Sequence, residues 1–536
     1  MKSRHFGISS VLVVMLALIG CNIGDIDGDL ELPNHQGKVG LIVGSTTYTI
    51  RELLEELEDS SLTIVEDNSM LLKVIYTDST GFDDIDEIIV VDDVTNGDVL
   101  SPGLDIPASP TNDPISFNQN LQFNYPIAED EELDSIIYTG GSISLSIQST
   151  FNVNSDYSFT LDDIVDRNTG QPMVFSGNLA VGGNEIQVQD LLNHRTIAER
   201  VGDENIFTGT FVGTLYPEVG DQIQPAEALD YTIEITNVTF QTIYGYFGQK
   251  DFELQSQEIE IGFFEDIDVG GFTFKSPEIT LTIDNAFGVP MGIDLSQITS
   301  SNGSGQSVDL TGSITESLQF VRAPSVNSVG NSLTSVISIN SANSNLRDLM
   351  NISPNLITVA VSAQTNFNVD DPTENRNFVD QESVASILME FELPLDVNLA
   401  GFSRNFDFDL DSLDLDDADT VNMRIKSLNL LPFTGLVDFQ LINPGQADSI
   451  LYEIADVLLI ESPELPISGR AEEPEETVAN ITFFEESLDA LKGATKINLI
   501  MNVNSFDSEN GTFVKIYSDS NLELIVSLEA SLNLEL

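Results

Sequence analysis

The chain has 536 residues, with 20 Lys and Arg against 87 Asp and Glu, a formal net charge of −67 at pH 7. A hydrophobic content of 41% can bury sizeable cores and excludes a wholly disordered chain. The charge repels phosphate backbones and argues against nucleic-acid partners, while one Cys and three His exclude a disulfide framework and a Cys-rich zinc module.

Lys2 and Arg4 precede an apolar run over 8–19. It is shorter than the roughly 20 residues of a membrane-spanning helix and fits the core of a secretory signal. Leu18-Ile19-Gly20-Cys21 then resembles the bacterial lipobox, and the sole Cys of the chain falls on its invariant position. That resemblance implies that 1–20 is a lipoprotein signal peptide, that Cys21 is the lipidation site carrying palmitate-type chains, and that the body is held to a membrane. Two or more acyl chains anchor stably where one does not. Asn22, in place of an Asp after the Cys, points to the bacterial outer membrane, with cell-surface exposure left open. Residues 21–38 read as an acidic flexible tether.

Residues 39–114 read as a small α+β region. Ile50, Leu53, Leu54 and Leu57 give the stripe of one short helix behind a Thr49 cap, 71–76 reads as a strand, and the Pro- and Ser-rich 101–114 reads as a linker. Residues 115–299 form a central β domain. Ile143, Leu145 and Ile147 alternate with serines, and 231–235 and 279–283 repeat that period of two. Within it, 190–201 is expected to be a short helix. The Ser/Gly/Asn-rich 300–307 reads as a second linker, opening a C-terminal β domain over 300–536. The apolar alternation from Leu522 onward predicts one long strand, or two with a turn near 529–531. The expected fold is therefore mainly β, with two or more β-sandwich-like domains and a few short helices. Residues 280–295 and 424–439 share a strand–turn–strand plan in which Asn429 matches Asn285, so an internal repeat and two unrelated hairpins both remain open.

Tyr48-Thr49-Ile50, Gly245-Tyr246-Phe247-Gly248-Gln249, Asp284-Asn285-Ala286-Phe287-Gly288-Val289-Pro290 and Val514-Lys515-Ile516-Tyr517-Ser518-Asp519 together resemble a family of β-rich Bacteroidetes envelope lipoproteins of unassigned activity. The segment from Asn285 to Pro290 is also similar to the hairpin of late-embryogenesis-abundant-like β-sandwich domains. That likeness is one of fold and licenses no function.

Catalytic signatures are missing from the sequence: it holds no Gly-x-Ser-x-Gly elbow, no His-Glu-x-x-His and no phosphate-binding loop, and an acylated Cys21 leaves no thiol. A non-enzymatic body is expected. Asp407, Asp409 and Asp411 fall on one face of a strand-like run, where crowded carboxylates favour a hard cation such as calcium; a solvated acidic face is the plainer reading. Three functions stand: a lipid-anchored envelope protein with a structural or partner-binding body, a carrier of lipid or another hydrophobic ligand, and a surface glycan-binding or glycan-cleaving protein. Each leaves the partner open among envelope protein, lipid and glycan.

Overall fold

The computed structural model describes residues 37–49, 51, 62–128, 130–253, 256–261, 269–369, 375–409, 418–445, 450–466 and 469–532. Strands dominate these residues, in five antiparallel sheets, with the helices Leu346–Asn351 and Glu485–Gly493 between them. The β expectation is met in detail. Ile143, Leu145 and Ile147 are buried, and so are Tyr231, Ile233 and Ile235, because a strand turns alternate side chains to one face.

The central sandwich is built from two four-stranded halves. One runs Ile115–Asn124, Glu204–Tyr216, Asn154–Asp166, Pro172–Leu179; the other runs Val94–Leu100, Leu229–Tyr246, Glu132–Ser149, Asn184–Asp190. Between them lies an aromatic core that includes Phe123, Phe159, Phe207, Phe211 and Tyr231. Side chains close the two open seams. Gln187 and Gln189 donate to the carbonyls of Ser176 and Val174 (2.9 and 2.8 Å), and the Asn96 amide bonds both backbone groups of Asn124. To reach across, Gln187 and Gln189 point inward, which turns Ile186 and Val188 out to solvent.

The segment 190–201 is not the expected helix. It forms the strands His194–Ile197 and Glu199–Val201, the first wedged between Asn154–Asp166 and Glu132–Ser149. Asn193 adopts a left-handed φ of 65°, which breaks a helix, and from His194 onward Thr196, Ala198 and Arg200 turn inward on a two-residue rhythm. The helix expected over 49–57 lies almost wholly outside the described residues.

The remaining body is a tandem duplication, which resolves the repeat question. In the first copy, one sheet joins Asp251–Glu253 and Gln257–Glu260 to Leu356–Thr365, then Met291–Ser301, then Gln319–Val321; the facing sheet runs Ala385–Pro394, Glu278–Asn285, Leu333–Asn340. In the second copy, Asp396–Asp409, Lys496–Ser505, Phe433–Ile442 and Ile450–Ile460 face Asn521–Leu532, Ala418–Asn429 and Glu475–Phe484. Chain order and pairing are the same in both, and each copy carries one of the two helices between its last-but-two and last-but-one strands. The corner asparagines are held alike. Asn285 Oδ1 accepts from the Phe287 amide (2.9 Å) while its Nδ2 donates to the carbonyls of Val289 and Arg322 (3.0 and 3.1 Å). Asn429 Oδ1 accepts from Leu431 (2.8 Å) while its Nδ2 donates to Leu431, Phe433 and Glu461 (2.9, 3.1 and 2.8 Å). Both side chains are fully buried, and each binds the backbone where the chain passes from one sheet to the other.

Strand pairing crosses the boundaries drawn from sequence at 38/39, 114/115 and 299/300. The N-terminal region gives strands to every sandwich: Gly37–Thr49 lies along Asn521–Leu532, Leu72–Phe82 along Ala385–Pro394 with Leu62–Glu66 on its outer edge, and Val94–Leu100 along Leu229–Tyr246. Residues 101–114 are tied to the central sandwich through the bridge between Ile106 and Ile223. Residues 300–307 turn a hairpin, with Asn302 Oδ1 accepting from the amides of Ser304 and Gln306. Of the two C-terminal alternatives, Asn521–Leu532 is one strand, paired on both edges.

Candidate functional site

Three of the four motifs that carry the family resemblance lie at the two joints between sandwiches. At the first, Asn366 and Asn377 exchange a reciprocal pair of amide hydrogen bonds (3.0 and 2.9 Å), both side chains buried. The Asn366 amide also donates to the Gly248 carbonyl (2.7 Å), the Asn377 amide donates to the Gly288 carbonyl (3.1 Å), and the Phe247 amide donates to Asn377 Oδ1 (3.1 Å). Gly288 is required there, since a Cβ would collide with the Phe378 ring. Gly245–Gln249 and Asn285–Pro290 are thus the two faces of one joint.

Scarce cations flank it. Lys250 pairs with Glu131, which is 2% exposed, and donates to the Ile88 carbonyl (2.7 Å). Arg200 donates to the Glu131 carbonyl (2.6 Å), and Arg376 bridges Glu132 and Asp134. Burial pushes the Asp134 carboxyl up, with Arg376 pulling the other way. Beneath the joint Tyr138 is wholly enclosed, sharing a hydroxyl contact with Thr196 (2.5 Å), and burial pushes its phenol up to about 12.

The second joint uses backbone. Leu72 N donates to the Ile516 carbonyl, Ile516 N to that of Leu395, and Leu395 N to that of Leu72 (3.0, 2.9 and 2.9 Å), locking the N-terminal strand, the connector between the copies and the motif at 514–519. Around it Lys275 pairs with Asp396 (3.2 Å), Arg347 and Lys275 lie against the Phe513 ring, and Arg470 pairs with Asp519 over the Tyr517 ring.

A cleft of about 630 Å³ opens beside the first joint, lined by Gly288, Pro290, Phe320, Arg322, Asn375 and Arg376 among others. Phe320 is 51% exposed, and Arg322 is exposed with its guanidinium donating to the Thr334 carbonyl. By contrast, the apolar space between the sheets of the first copy, against Leu281, Ile293 and Met389, is about 30 Å³, room for a water or two rather than an acyl chain.

Of the residues singled out from sequence, Cys21 and Asp411 lie outside the described residues. Asp407 and Asp409 sit on Asp396–Asp409 as register partners of Asn498 and Lys496. Among the described residues no three His, Cys, Asp or Glu side chains form a metal-holding group. Sequence reasoning missed the Asn366–Asn377 pair and the cleft, because both are assembled from segments far apart in the chain.

No protein-family model and no curated protein matches the chain. Among solved structures it is similar to a protein from Parabacteroides distasonis described as secreted, at 14% identity and a TM-score of 0.31 over 55% of this chain and 90% of that one. It is also similar to a triple jelly roll protein of an archaeal virus (9%, TM-score 0.11, 83% and 92% covered). A third is from infectious bursal disease virus (8%, TM-score 0.15, 88% and 81% covered). Alignments this loose do not establish a shared architecture. No helix among the described residues is long and apolar enough to cross a membrane.

Proposed function

We propose that the chain is a lipid-anchored protein of the bacterial outer membrane, whose three sandwiches form a non-catalytic structural or partner-binding body. The observation that carries this reading is Cys21, the sole thiol of the chain, set directly after Leu18-Ile19-Gly20 and a short apolar run. The body supports it. Its buried asparagines bind backbone and one another at the joints and sheet corners. The 30 Å³ interior of the first copy favours this reading over a lipid carrier. Intact mass spectrometry of the protein from its own membranes tests it: a start at acylated Cys21, lost with membrane association in Cys21→Ser, is the expected result. An unmodified start, or a Cys21→Ser form that stays membrane-held, overturns it.

A further inference from the structure

Basic side chains are scarce in this chain, and Arg200, Lys250, Lys275, Arg376 and Arg470 at the joints each face a carboxylate. Arg167 and Arg195 do not. Both are exposed, and neither forms an ion pair among the described residues, although they lie within 130–253, which is described without a gap. They flank the wedge strand His194–Ile197. Its inner face carries Thr196 in register with Ile136 and Ile164, all buried; its outer face carries Arg195 in register with Ile137 and Val165. Arg167 continues that ladder, its amide donating to the Asn193 carbonyl (2.8 Å). Diagonal neighbours across such a ladder stand about 7–8 Å apart. The Arg167 guanidinium then donates to Gln241 Oε1 (3.1 Å), and Gln241 precedes Thr242, the register partner of Ile137. An exposed side chain makes that crossing over the outer face, so it passes beside Arg195.

Two guanidinium groups placed side by side repel, and like charges across a ladder cost stability. A chain with 87 Asp and Glu could neutralise them, yet the carboxylates of the neighbouring segments are turned to other donors. Asp166 accepts from the amides of Asn168 and Thr169 (2.9 and 2.7 Å), Asp163 from that of Thr208 (2.7 Å), and Asp380 from the Thr242 hydroxyl (2.7 Å). The pair is left for an oxyanion from outside. Arginine binds such groups with two parallel N–H donors. A phosphomonoester carries about two negative charges near pH 7 on three terminal oxygens, so it can meet both guanidinium groups at once. A carboxylate, with one charge and two oxygens, does not match the pair. The net charge of the body is screened beyond about 8 Å at physiological salt, so the two adjacent cations govern the local field.

We propose that Arg167 and Arg195 form a binding site for a phosphate group, a phosphomonoester borne by a soluble sugar or by a lipid headgroup. The proposal goes beyond the envelope reading and does not depend on how the chain is anchored, so failure of either leaves the other standing. The test uses the full mature chain with Cys21→Ser, so that no acyl group inserts by itself. It is titrated calorimetrically with glucose 6-phosphate and with glucose, and floated with phosphatidylcholine vesicles that contain or lack phosphatidic acid. Saturable binding of glucose 6-phosphate assigns a soluble source, and binding of the phosphatidic acid vesicles alone assigns a lipid headgroup; either supports the site. Arg167→Ala and Arg195→Ala are each expected to weaken binding about tenfold or more, a change of about 1.4 kcal/mol. Arg195→Lys should retain part of the affinity. Arg424→Ala removes an exposed arginine of the second copy, changes the net charge equally and should retain all of it. The substituted side chains are exposed, so unchanged melting temperatures will show that the variants fold. Failure of both phosphate probes, equal binding of glucose or of phosphatidylcholine alone, wild-type affinity in both site variants, or an equal loss in Arg424→Ala overturns the proposal.

Discussion

The two copies of the duplicated sandwich share a topology and a corner asparagine, yet they are built to different depths. The first copy contributes Ile279, Leu281, Ile293 and Phe391 to one continuous core that runs on into the central sandwich through Phe252, Phe287 and Ile243. The second is held by two small clusters, one around Ile425, Val437 and Leu524 and the other around Leu441, Ile481 and Phe483. Its joint to the first copy combines backbone exchange, partly exposed ion pairs and a short extension of that core at Val397, Val514 and Ile516, whereas the joint between the first copy and the central sandwich also buries amides and a carboxylate. Area removed from water is the dominant favourable term in folding, so the contrast implies one cooperative unit of two sandwiches and a third that can open alone.

The sharpest way to break this comparison is at the buried ion pair. Lys250→Met leaves Glu131 enclosed without its cation and should cost about 3–5 kcal/mol. Hydrogen exchange should then show protection lost in the central sandwich and the first copy together, with 396–532 retained. Uniform loss across all three sandwiches would refute separate units. The corner asparagines come next. Asn285→Asp and Asn429→Asp each strip donors from buried carbonyls, at about 2–4 kcal/mol, but in the first case deprotection should spread into the central sandwich and in the second it should stop at the second copy. Gly288→Ala drives a methyl into Phe378 and should cost about 1–3 kcal/mol. Gly435→Ala in the second copy meets Ile460 at an ordinary 3.6 Å and should change the melting temperature little.

Smaller effects sharpen the contrast at the second joint. Lys275→Met breaks a pair whose lysine is half exposed, and less than about 1 kcal/mol is expected by denaturant titration. Near this joint, Asn398 donates to the Ser508 and Thr512 carbonyls (3.2 and 2.8 Å), and that loop is shaped by Asp507, whose carboxyl is held below its usual value by the Thr512 hydroxyl and the Asn510 amide. A depressed folded pKa gives stability that is present above the unfolded value, near 3.8, and is lost as pH falls through the folded one. Asp134 at the first joint has the opposite sign: its raised carboxyl favours the protonated fold below the unfolded value and loses that advantage as pH rises through the folded one. Acidification below 3.8 should therefore loosen the loop at Asp507 before the first joint, and Asp507→Asn should reduce the pH dependence in the melting of 396–532.

Much of the fold was legible. Period-two runs such as Ile143–Ile147 and the long alternation of Asn521–Leu532 became strands because one face had to be buried. The match of Asn429 to Asn285 marked a real repeat, visible because a corner needs the same amide at the same place. The segment 190–201 was misread because Leu191-Leu192 beside Ala198 imitates a helical stripe, while the left-handed Asn193 and the neighbouring strands impose an extended chain. The domain boundaries were drawn at polar stretches, but 300–307 is only a hairpin turn, and polar composition does not distinguish a turn from a linker.

Local pattern alone settled the β class, the acidic surface and the resemblance of the first residues to a lipoprotein signal, because periodicity, charge and a short motif are properties of neighbours in the chain. The three sandwiches, the strands that the N-terminal region lends to them, and the cleft beside Arg322 were decided only by the assembled molecule. Long-range pairing such as Gly37 with Leu532, and the meeting of Asn366, Asn377 and Gly288, depend on which surfaces bury one another, and no stretch of sequence records that on its own.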